Sequence, residues 1–341
     1  MLPRTRQVAA LDGAGRVSVI TEALPELRAG MVLVAVHASV ISPGTELAGV
    51  PAARQQTPPS SAPPRPFGYQ NAGVVVAVGT GVSEFTPGQR VACMGAGYAV
   101  HGDYAVVPQR LCTALPDAVS FAEGASAHLA VTALHALRRG EPQLGETLVV
   151  AGLGLVGQFT ARLAQLAGMT VMGWDRYPRR CELARQWGID ATATIGQEDE
   201  VAATQAFTGP QGLDMAVLAF GGDGSAALER LKLVMTVSAD GHRVGRICLV
   251  GGLQTHVRWG ASMGHLDLRS CARSGPGYHD DAWELGERDY PRGFVRWTTR
   301  SNLELVLRLM ASKRLPVLPL LTHRFPLAQV EDAVEAHLQR Q

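Results

Sequence analysis

The sequence predicts an α/β protein of two domains, a β-rich one and a doubly wound parallel sheet. Three observations carry that prediction. Short Val/Ile-rich segments broken by Gly and Pro fill the first 119 residues. From about residue 120, apolar strands alternate with helical segments, the pattern of a parallel sheet covered on both faces. One of those strands meets the next helix through a glycine-rich turn. The length, 341 residues, suits two domains of about 100–200 residues each.

In the first part, VSVI at 17–20, MVLVAVHASV at 31–40 and NAGVVVAVG at 71–79 read as strands. Residues 51–66, PAARQQTPPSSAPPRP, lack periodicity and read as a surface loop. TPGQR at 86–90 is a tight turn into the strand RVACM. FAEGASAHLAVTALHALRR reads as one helix, with Glu early and Arg late to suit the helix dipole. There follow the strand TLVVAG, the helix VGQFTARLAQLAG, the strand TVMGWD, the helix RRCELARQWG and the strands ATATI and DMAVLAF. A helix through 225–235 and the strand RICLVGG close this run. The chain then reads as polar and irregular to about 300. A helix at 301–311, a strand near VLPLLTHRF and the helix AQVEDAVEAHLQR end it.

Composition excludes several classes of function. With 31 Lys+Arg against 30 Asp+Glu, the formal charge is +1, which gathers neither nucleic acid nor anionic lipid. At 46% hydrophobic and 18% charged, the chain is too apolar to be disordered. No run approaches the roughly 18 apolar residues of a membrane span, and MLPRTRQVAALDGAGR lacks a signal-peptide core, so a cytoplasmic chain is expected. The five cysteines, Cys93, Cys112, Cys181, Cys248 and Cys271, form no C-x-x-C pair and read as reduced, buried thiols. Lysine occurs only at 232 and 313, preceded four residues earlier by Leu228 and Leu309, so a Tyr-x-x-x-Lys catalytic pair is absent.

The glycine turn carries the first functional signal. Gly152-Leu-Gly154-Leu155-Val156-Gly157 follows a strand and opens a helix, the context that makes G-x-G-x-x-G a dinucleotide-binding (Rossmann) fingerprint. The helix N-terminus offers N–H groups and partial positive charge to a pyrophosphate. Asp175 ends the next strand near the roughly 20-residue offset of a ribose-binding acid, which favours NAD over NADP. Arg176 beside it weakens that preference, since Arg pairs a 2′-phosphate. Phe220, Gly221, Gly251 and Gly252 end later strands, where a doubly wound sheet lines its cofactor crevice.

The order of parts, with the segments SPGTE, FGYQNAGVVVAVG, VACMGAGYAVHGDYAVVP, GLGLVGQ, RDYPRGFVRWT and PLLTHRFPL, resembles the medium-chain dehydrogenase/reductase (alcohol dehydrogenase-like) family over nearly the whole chain. Within it, the motifs look like the zinc-lacking SPGTE-type branch, which resembles bacteriochlorophyllide a dehydrogenases and the N-terminal part of bi-domain oxidoreductases. The resemblance implies a GroES-like catalytic domain at 1–119 and 293–341, a Rossmann domain at 120–292, an NAD(P)-dependent oxidoreductase, and a homodimer or homotetramer in which RICLVGG is a possible pairing edge. It also places Thr132 at the cofactor. Zinc enzymes of the family carry catalytic ligands where this chain has Pro43 in Ser42-Pro43-Gly44-Thr45-Glu46, Tyr69 in Gly68-Tyr69-Gln70, and His128. The structural-zinc cysteine cluster is absent between about 93 and 112. Zinc sites use three or four Cys, His or carboxylate ligands, so no zinc is expected. A rearranged site from Glu46, His37 or His101 is the alternative.

Without a Lewis acid, positioned donors and a general base must handle the substrate oxygen. By resemblance Thr45 sits where zinc enzymes keep a proton-relay hydroxyl, and Tyr69 where a ligand would stand. Glu46 is the nearest carboxylate, either base or orienter of backbone. His101, in GYAVHGDY, is either a proton-exchanging imidazole or structural. His128 is either packed or at the substrate. In 273–302, aromatics interleave with charges, as in a binding loop or a subunit contact. Tyr278, His279, Tyr290, Arg292 and Arg296 are the polar-substrate candidates there, with Trp283 and Trp297 stacking on a ring or packing.

The leading reading is NAD-dependent interconversion of a secondary alcohol and ketone on a polyhydroxylated or ring-bearing metabolite. The alternatives are an NAD(P)H-dependent reductase of an activated C=C bond and a non-catalytic NAD(H)-binding sensor.

Overall fold

The computed structural model describes residues 2–339. The chain divides into two compact units, residues 1–128 with 275–341, and residues 129–274.

The first unit is built on antiparallel strands. β1 (Thr5–Leu11) pairs with β2 (Val17–Ala23) and with the short β4 (Arg65–Pro66). A five-stranded sheet runs in the order β7 (Tyr104–Pro108), β3 (Met31–Ser39), β5 (Gln70–Val78), β6 (Arg90–Met94), β8 (Cys112–Ala114). Its Val-rich strands bury alternate or successive side chains such as Val32, Leu33, Val34, Val91 and Val107. The segment after β3 forms two short helices, α1 (Pro43–Glu46) and α2 (Val50–Gln55), where 51–66 reads as loop throughout from sequence. Leu47 and Val50 enter a core with Ala9, Val17, Val330 and Val334, which pins the Ser42–Glu46 turn to the body of the unit. Burying such a side chain contributes roughly 1.5–3 kcal/mol.

The expected single helix from residue 121 is two, α3 (Phe121–Ala125) and α4 (Ala127–Gly140). Ser120 and Glu123 close a capping box on α3, and Ser126 interrupts the helix, its hydroxyl turning back to the Glu123 carbonyl at 2.7 Å.

The second unit is a six-stranded, all-parallel sheet in the order β11 (Ala191–Thr194), β10 (Thr170–Asp175), β9 (Thr147–Ala151), β12 (Met215–Leu218), β14 (Val244–Val250), β16 (His265–Cys271). Helices α5 (Leu155–Leu166), α6 (Pro178–Gln186), α7 (Glu200–Thr208) and α8 (Ser225–Val234) connect the strands, and the two-residue strands β13 (Gly222–Asp223) and β15 (Leu253–Gln254) pair beside the sheet. Val149, Met172, Trp174, Leu218, Leu228, Leu231 and Ile247 fill one core. Trp174 is fully buried and its indole N–H donates to Thr204 Oγ1 at 3.0 Å.

Four expectations differ from the structure. RICLVGG is not an edge: β14 lies between β12 and β16, and β16 is the outer strand. Its sequence, HLDLRSC, lies within the polar stretch read as irregular, although HLDLR alternates as a half-buried strand does. The strand expected near VLPLLTHRF is a 3₁₀ turn at Leu318–Leu320 and irregular chain, because Pro316, Pro319 and Pro326 lack the N–H a ladder needs. The chain returns to the first unit at 275, where the sequence suggests 293. Contacts of the intervening segment account for this: Gln109 Nε2 donates to the Leu285 carbonyl at 2.6 Å, and the Arg110 guanidinium lies 5.3 Å from the Trp283 ring. The first crossing lies after His128 and not after 119, since α3 packs on the sheet of the first unit and His128 is bonded to Tyr69.

α9 (Asp281–Glu284), α10 (Thr299–Ala311) and α11 (Val330–Leu338) complete the first unit. Among the described residues, no helix is long and apolar enough to cross a membrane.

Candidate active site

In the first unit, the turn Ser42–Glu46 and the start of β5 bring the predicted residues together. Ser42 precedes α1, and its backbone N–H donates to Glu46 Oε2. The other carboxylate oxygen, Oε1, lies 3.1 Å from His101 Nε2, with side-chain exposures of 5% and 2%. The His101 ring packs edge-on against Phe67, and its Nδ1 is buried without a hydrogen-bond partner. Nε2–H donating to the carboxylate, with Nδ1 unprotonated, is the arrangement that leaves no N–H orphaned.

Tyr69 stands beside this pair. The hydroxyls of Ser42 and Thr45 lie near its own and favour its ionised form, against the larger effect of burial. Burial, and then the negative charge of Glu46, push the phenol well above its ordinary pKa, so it keeps its proton. Thr45 itself is exposed. His128 Nδ1 donates to the Tyr69 carbonyl at 3.1 Å, and its ring meets Tyr69 edge-on at 5.1 Å. Burial lowers the His128 imidazole to a pKa of about 4, so it is neutral at physiological pH. Tyr278 continues this aromatic wall, 5.1 Å from His128, and its hydroxyl accepts the Ala96 N–H at 3.0 Å.

The rest of the 273–302 segment has other engagements. His279 touches Tyr278 edge-on, but its backbone N–H donates to Glu284. The Tyr290 hydroxyl donates to Asp280 and its ring stacks on the buried Trp283, which makes both parts of the segment's own fold. Arg292 and Arg296 are exposed, and Arg296 lies over Trp297. His37 stacks on Phe121 at 4.4 Å and is not joined to Glu46 or His101. Sequence reasoning missed Ser42, whose position ahead of Pro43 at a helix start was the available signal. It also missed Glu284, a buried carboxyl that burial raises to a pKa of about 7.

The second unit carries the glycine turn. At Gly157, an added Cβ would stand 1.8 Å from the Gly152 carbonyl oxygen, so glycine alone allows helix and strand this close. At Gly154, the N-cap of α5, nothing lies within 4 Å of such a Cβ, so the backbone faces open space. Leu155 and Val156 form the first turn behind it. These features fit a dinucleotide pyrophosphate. Asp175 is 4% exposed. Its Oδ2 accepts the Leu153 N–H at 2.7 Å and lies 3.4 Å from Arg180, and its Oδ1 accepts the Tyr177 N–H. It therefore ties the glycine turn to the end of β10. Arg176 is exposed over the Tyr177 ring. Phe220, Gly221, Gly251 and Gly252 follow the C-terminal ends of β12 and β14, and Thr132 is half-buried on α4.

The comparisons with known proteins agree with this architecture. The model of the alcohol dehydrogenase GroES-like domain matches residues 28–117. Sorbitol dehydrogenase of Mus musculus is 28% identical over 303 residues, covering 80% of this chain and 76% of that protein. Residues 28–117 belong to the alcohol dehydrogenase GroES-like domain family, and most of the chain is similar to medium-chain alcohol dehydrogenases. It is an oxidoreductase with a GroES-like and a Rossmann-like domain. Galactitol-1-phosphate dehydrogenase from Escherichia coli superposes with a TM-score of 0.76 at 18% identity, covering 98% of this chain and 96% of that one. A Sinorhizobium meliloti dehydrogenase, described as zinc-binding and solved with NADP, gives 0.74 at 19% identity, covering 97% and 96%.

Zinc appears in the names of some of the similar dehydrogenases. The three corresponding positions offer Pro43, which has no ligand atom, Tyr69, whose phenol keeps its proton, and His128, whose Nδ1–H is held by a carbonyl and whose Nε2 is then the one usual ligand atom of the set. This donor set does not fit zinc.

Proposed function

We propose that the chain is an NAD-dependent, zinc-independent oxidoreductase that interconverts a secondary alcohol and a ketone on a polar, polyhydroxylated or ring-bearing metabolite. The observation that carries this reading is the cluster around Tyr69: a protonated phenol near the Ser42 and Thr45 hydroxyls, beside the buried Glu46–His101 pair.

Tyr69 and Thr45 orient the substrate oxygen, the phenol donating to it as charge develops there. The Glu46–His101 pair takes the alcohol proton, relayed through Tyr69, and returns it in the reverse direction. His128 holds Tyr69 from its backbone side, and Tyr278 supplies an aromatic edge with a hydroxyl. His279, Arg292 and Arg296 are assigned to the approach of a polar substrate. Gly152, Gly154 and Gly157, with the N–H groups of Leu155 and Val156, hold the pyrophosphate, and Asp175 disfavours a 2′-phosphate by charge, so NAD is preferred to NADP. When bound, the nicotinamide accepts or supplies the hydride. The sorbitol and galactitol-1-phosphate dehydrogenases among the relatives support a polyol-like substrate. Homodimers or homotetramers in the cytoplasm complete the reading, and light scattering of the purified protein checks the assembly.

The test is mass spectrometry of a polar metabolite extract incubated with the protein and NAD⁺ or NADH. A metabolite that loses two hydrogens only with NAD⁺, and is restored with NADH, is the expected result. Gain of two hydrogens at a conjugated C=C bond, or no change despite tight NAD(H) binding, would contradict it.

A further inference from the structure

The turn that precedes β14 and the first residue of β16 bring Asp240, His242 and His265 together on the surface of the second unit. They belong neither to the glycine turn nor to the Tyr69 cluster. Oδ2 of Asp240 lies 3.1 Å from Nδ1 of His242 and 3.9 Å from Nε2 of His265. One ligand atom from each of the three lies within 4.8 Å of the others. The two imidazole rings are 5.2 Å apart, tilted by 46°.

The backbone holds this grouping in place. Within the turn, the Ser238 N–H donates to the His242 carbonyl at 2.8 Å, the Gly241 N–H to Ser238 at 2.9 Å, and the Val244 N–H to Thr236 at 2.9 Å. The His265 N–H donates to the Arg243 carbonyl at 2.7 Å, and His265 is the register partner of Val244. Gly264 has a φ of +58°, and an added Cβ there would lie 2.5 Å from the Arg243 oxygen, so glycine is what lets β16 begin so near the turn. The carboxylate of Asp240 is fixed from its other side, Oδ1 accepting from the Ser238 hydroxyl and the His242 N–H.

We propose that Asp240, His242 and His265 form a binding site for one divalent transition-metal ion. Two imidazole nitrogens and one carboxylate oxygen are a borderline donor set, which suits zinc, nickel or copper and not calcium or magnesium. With metal–ligand bonds of about 2.0–2.2 Å, ligand atoms at tetrahedral angles stand about 3.3 Å apart, a spacing that the 3.1 and 3.9 Å separations bracket. The side chains are 58%, 45% and 67% exposed, so an ion reaches them from solvent and water completes its coordination. Binding cross-links the 238–242 turn to the outer strand of the sheet, and an ion bound only by the folded chain raises its stability by mass action.

The experiment uses the full chain, stripped of metal with a chelator and titrated separately with Co²⁺, followed by its visible absorption, and with Zn²⁺, followed calorimetrically. One ion per chain is expected, with an upward shift in Tm on adding metal. His265→Ala, at a largely exposed side chain, and His242→Ala should each abolish both the binding and the shift. Metal-free Tm equal to that of the wild type shows that the variants fold. Equal binding by wild type and by both variants places the ion elsewhere and overturns the proposal, as does absence of stoichiometric binding by the wild type. Neither readout depends on turnover, so failure here leaves the alcohol–ketone reading to be judged separately.

Discussion

Oε1 of Glu46 and Nε2 of His101 stand 3.1 Å apart with both side chains out of solvent, 55 residues apart in sequence. The other oxygen of Glu46 is held by the Ser42 N–H, and the other nitrogen of His101 has no partner. A buried carboxylate stripped of its partner loses far more than a surface ion pair is worth. His101→Ala should therefore destabilise the protein by about 3–5 kcal/mol, as loss of one partner of a buried pair does. Glu46→Gln, whose amide oxygen keeps the Ser42 N–H while its NH2 donates to Nε2 of His101 in the other tautomer, should cost less. Thermal or denaturant unfolding of the two variants checks the order.

Tyr69→Phe removes the hydroxyl and nothing else. Turnover should fall by about 10²-fold or more, the scale of a positioned acid–base group, while NAD⁺ binding by fluorescence titration stays unchanged. Thr45→Val should act in the same direction. Unchanged turnover in both variants would remove Tyr69 and Thr45 from the reaction.

The two glycines of the cofactor turn should behave differently. A Cβ at Gly154 meets nothing within 4 Å, so Gly154→Val should fold with an ordinary Tm yet lose NAD⁺ affinity, since its side chain enters the space a pyrophosphate needs. A Cβ at Gly157 collides with the Gly152 carbonyl, so Gly157→Val should lower both Tm and affinity. Parallel melting and NAD⁺ titration separate the two.

Much of this was legible in the sequence where the signal was local. Val-rich runs gave β3, β5 and β9, and the strand–turn–helix around Gly152–Gly157 declared itself by spacing. Strand β16 did not, because its alternation is confined to the five residues HLDLR inside a long polar stretch, although four polar side chains on an outer strand cost little. The break at Ser126 hid inside a helical pattern, since it depends on a hydroxyl turning back to a carbonyl. In the candidate site, Thr45, Glu46 and Tyr69 were visible from their motifs. The joining of Glu46 to His101 and of His128 to Tyr69 was not, because those contacts are long-range and fixed by the fold. Tyr290 and Trp283 read equally well as ligand contacts or packing, and only their stacking and the Asp280 bond decided between them.

Glu284 gives the fold a pH dependence. Burial first, then the charges of Asp281 and Asp280, raise its carboxyl to a pKa of about 7. A carboxyl whose folded pKa exceeds its unfolded one, near 4.5, binds the proton more tightly in the fold. Its contribution is full below about pH 4.5 and is lost as pH rises through about 7. Glu284→Gln, which still accepts the His279 N–H, should raise stability by about 1–3 kcal/mol at pH 8 and change it little at pH 4.5. Unfolding of wild type and variant at the two pH values checks the sign.

The central claim is alcohol–ketone chemistry without zinc at the Tyr69 cluster. It is tested most directly by NAD⁺-dependent oxidation in a polar metabolite extract, followed by mass spectrometry, with protein stripped of metal and its zinc content measured. The expected result is a metabolite losing two hydrogens at full rate in the zinc-free protein and at a greatly reduced rate with Tyr69→Phe. Oxidation that vanishes on stripping and returns only with added zinc, in wild type and in His265→Ala alike, would contradict it.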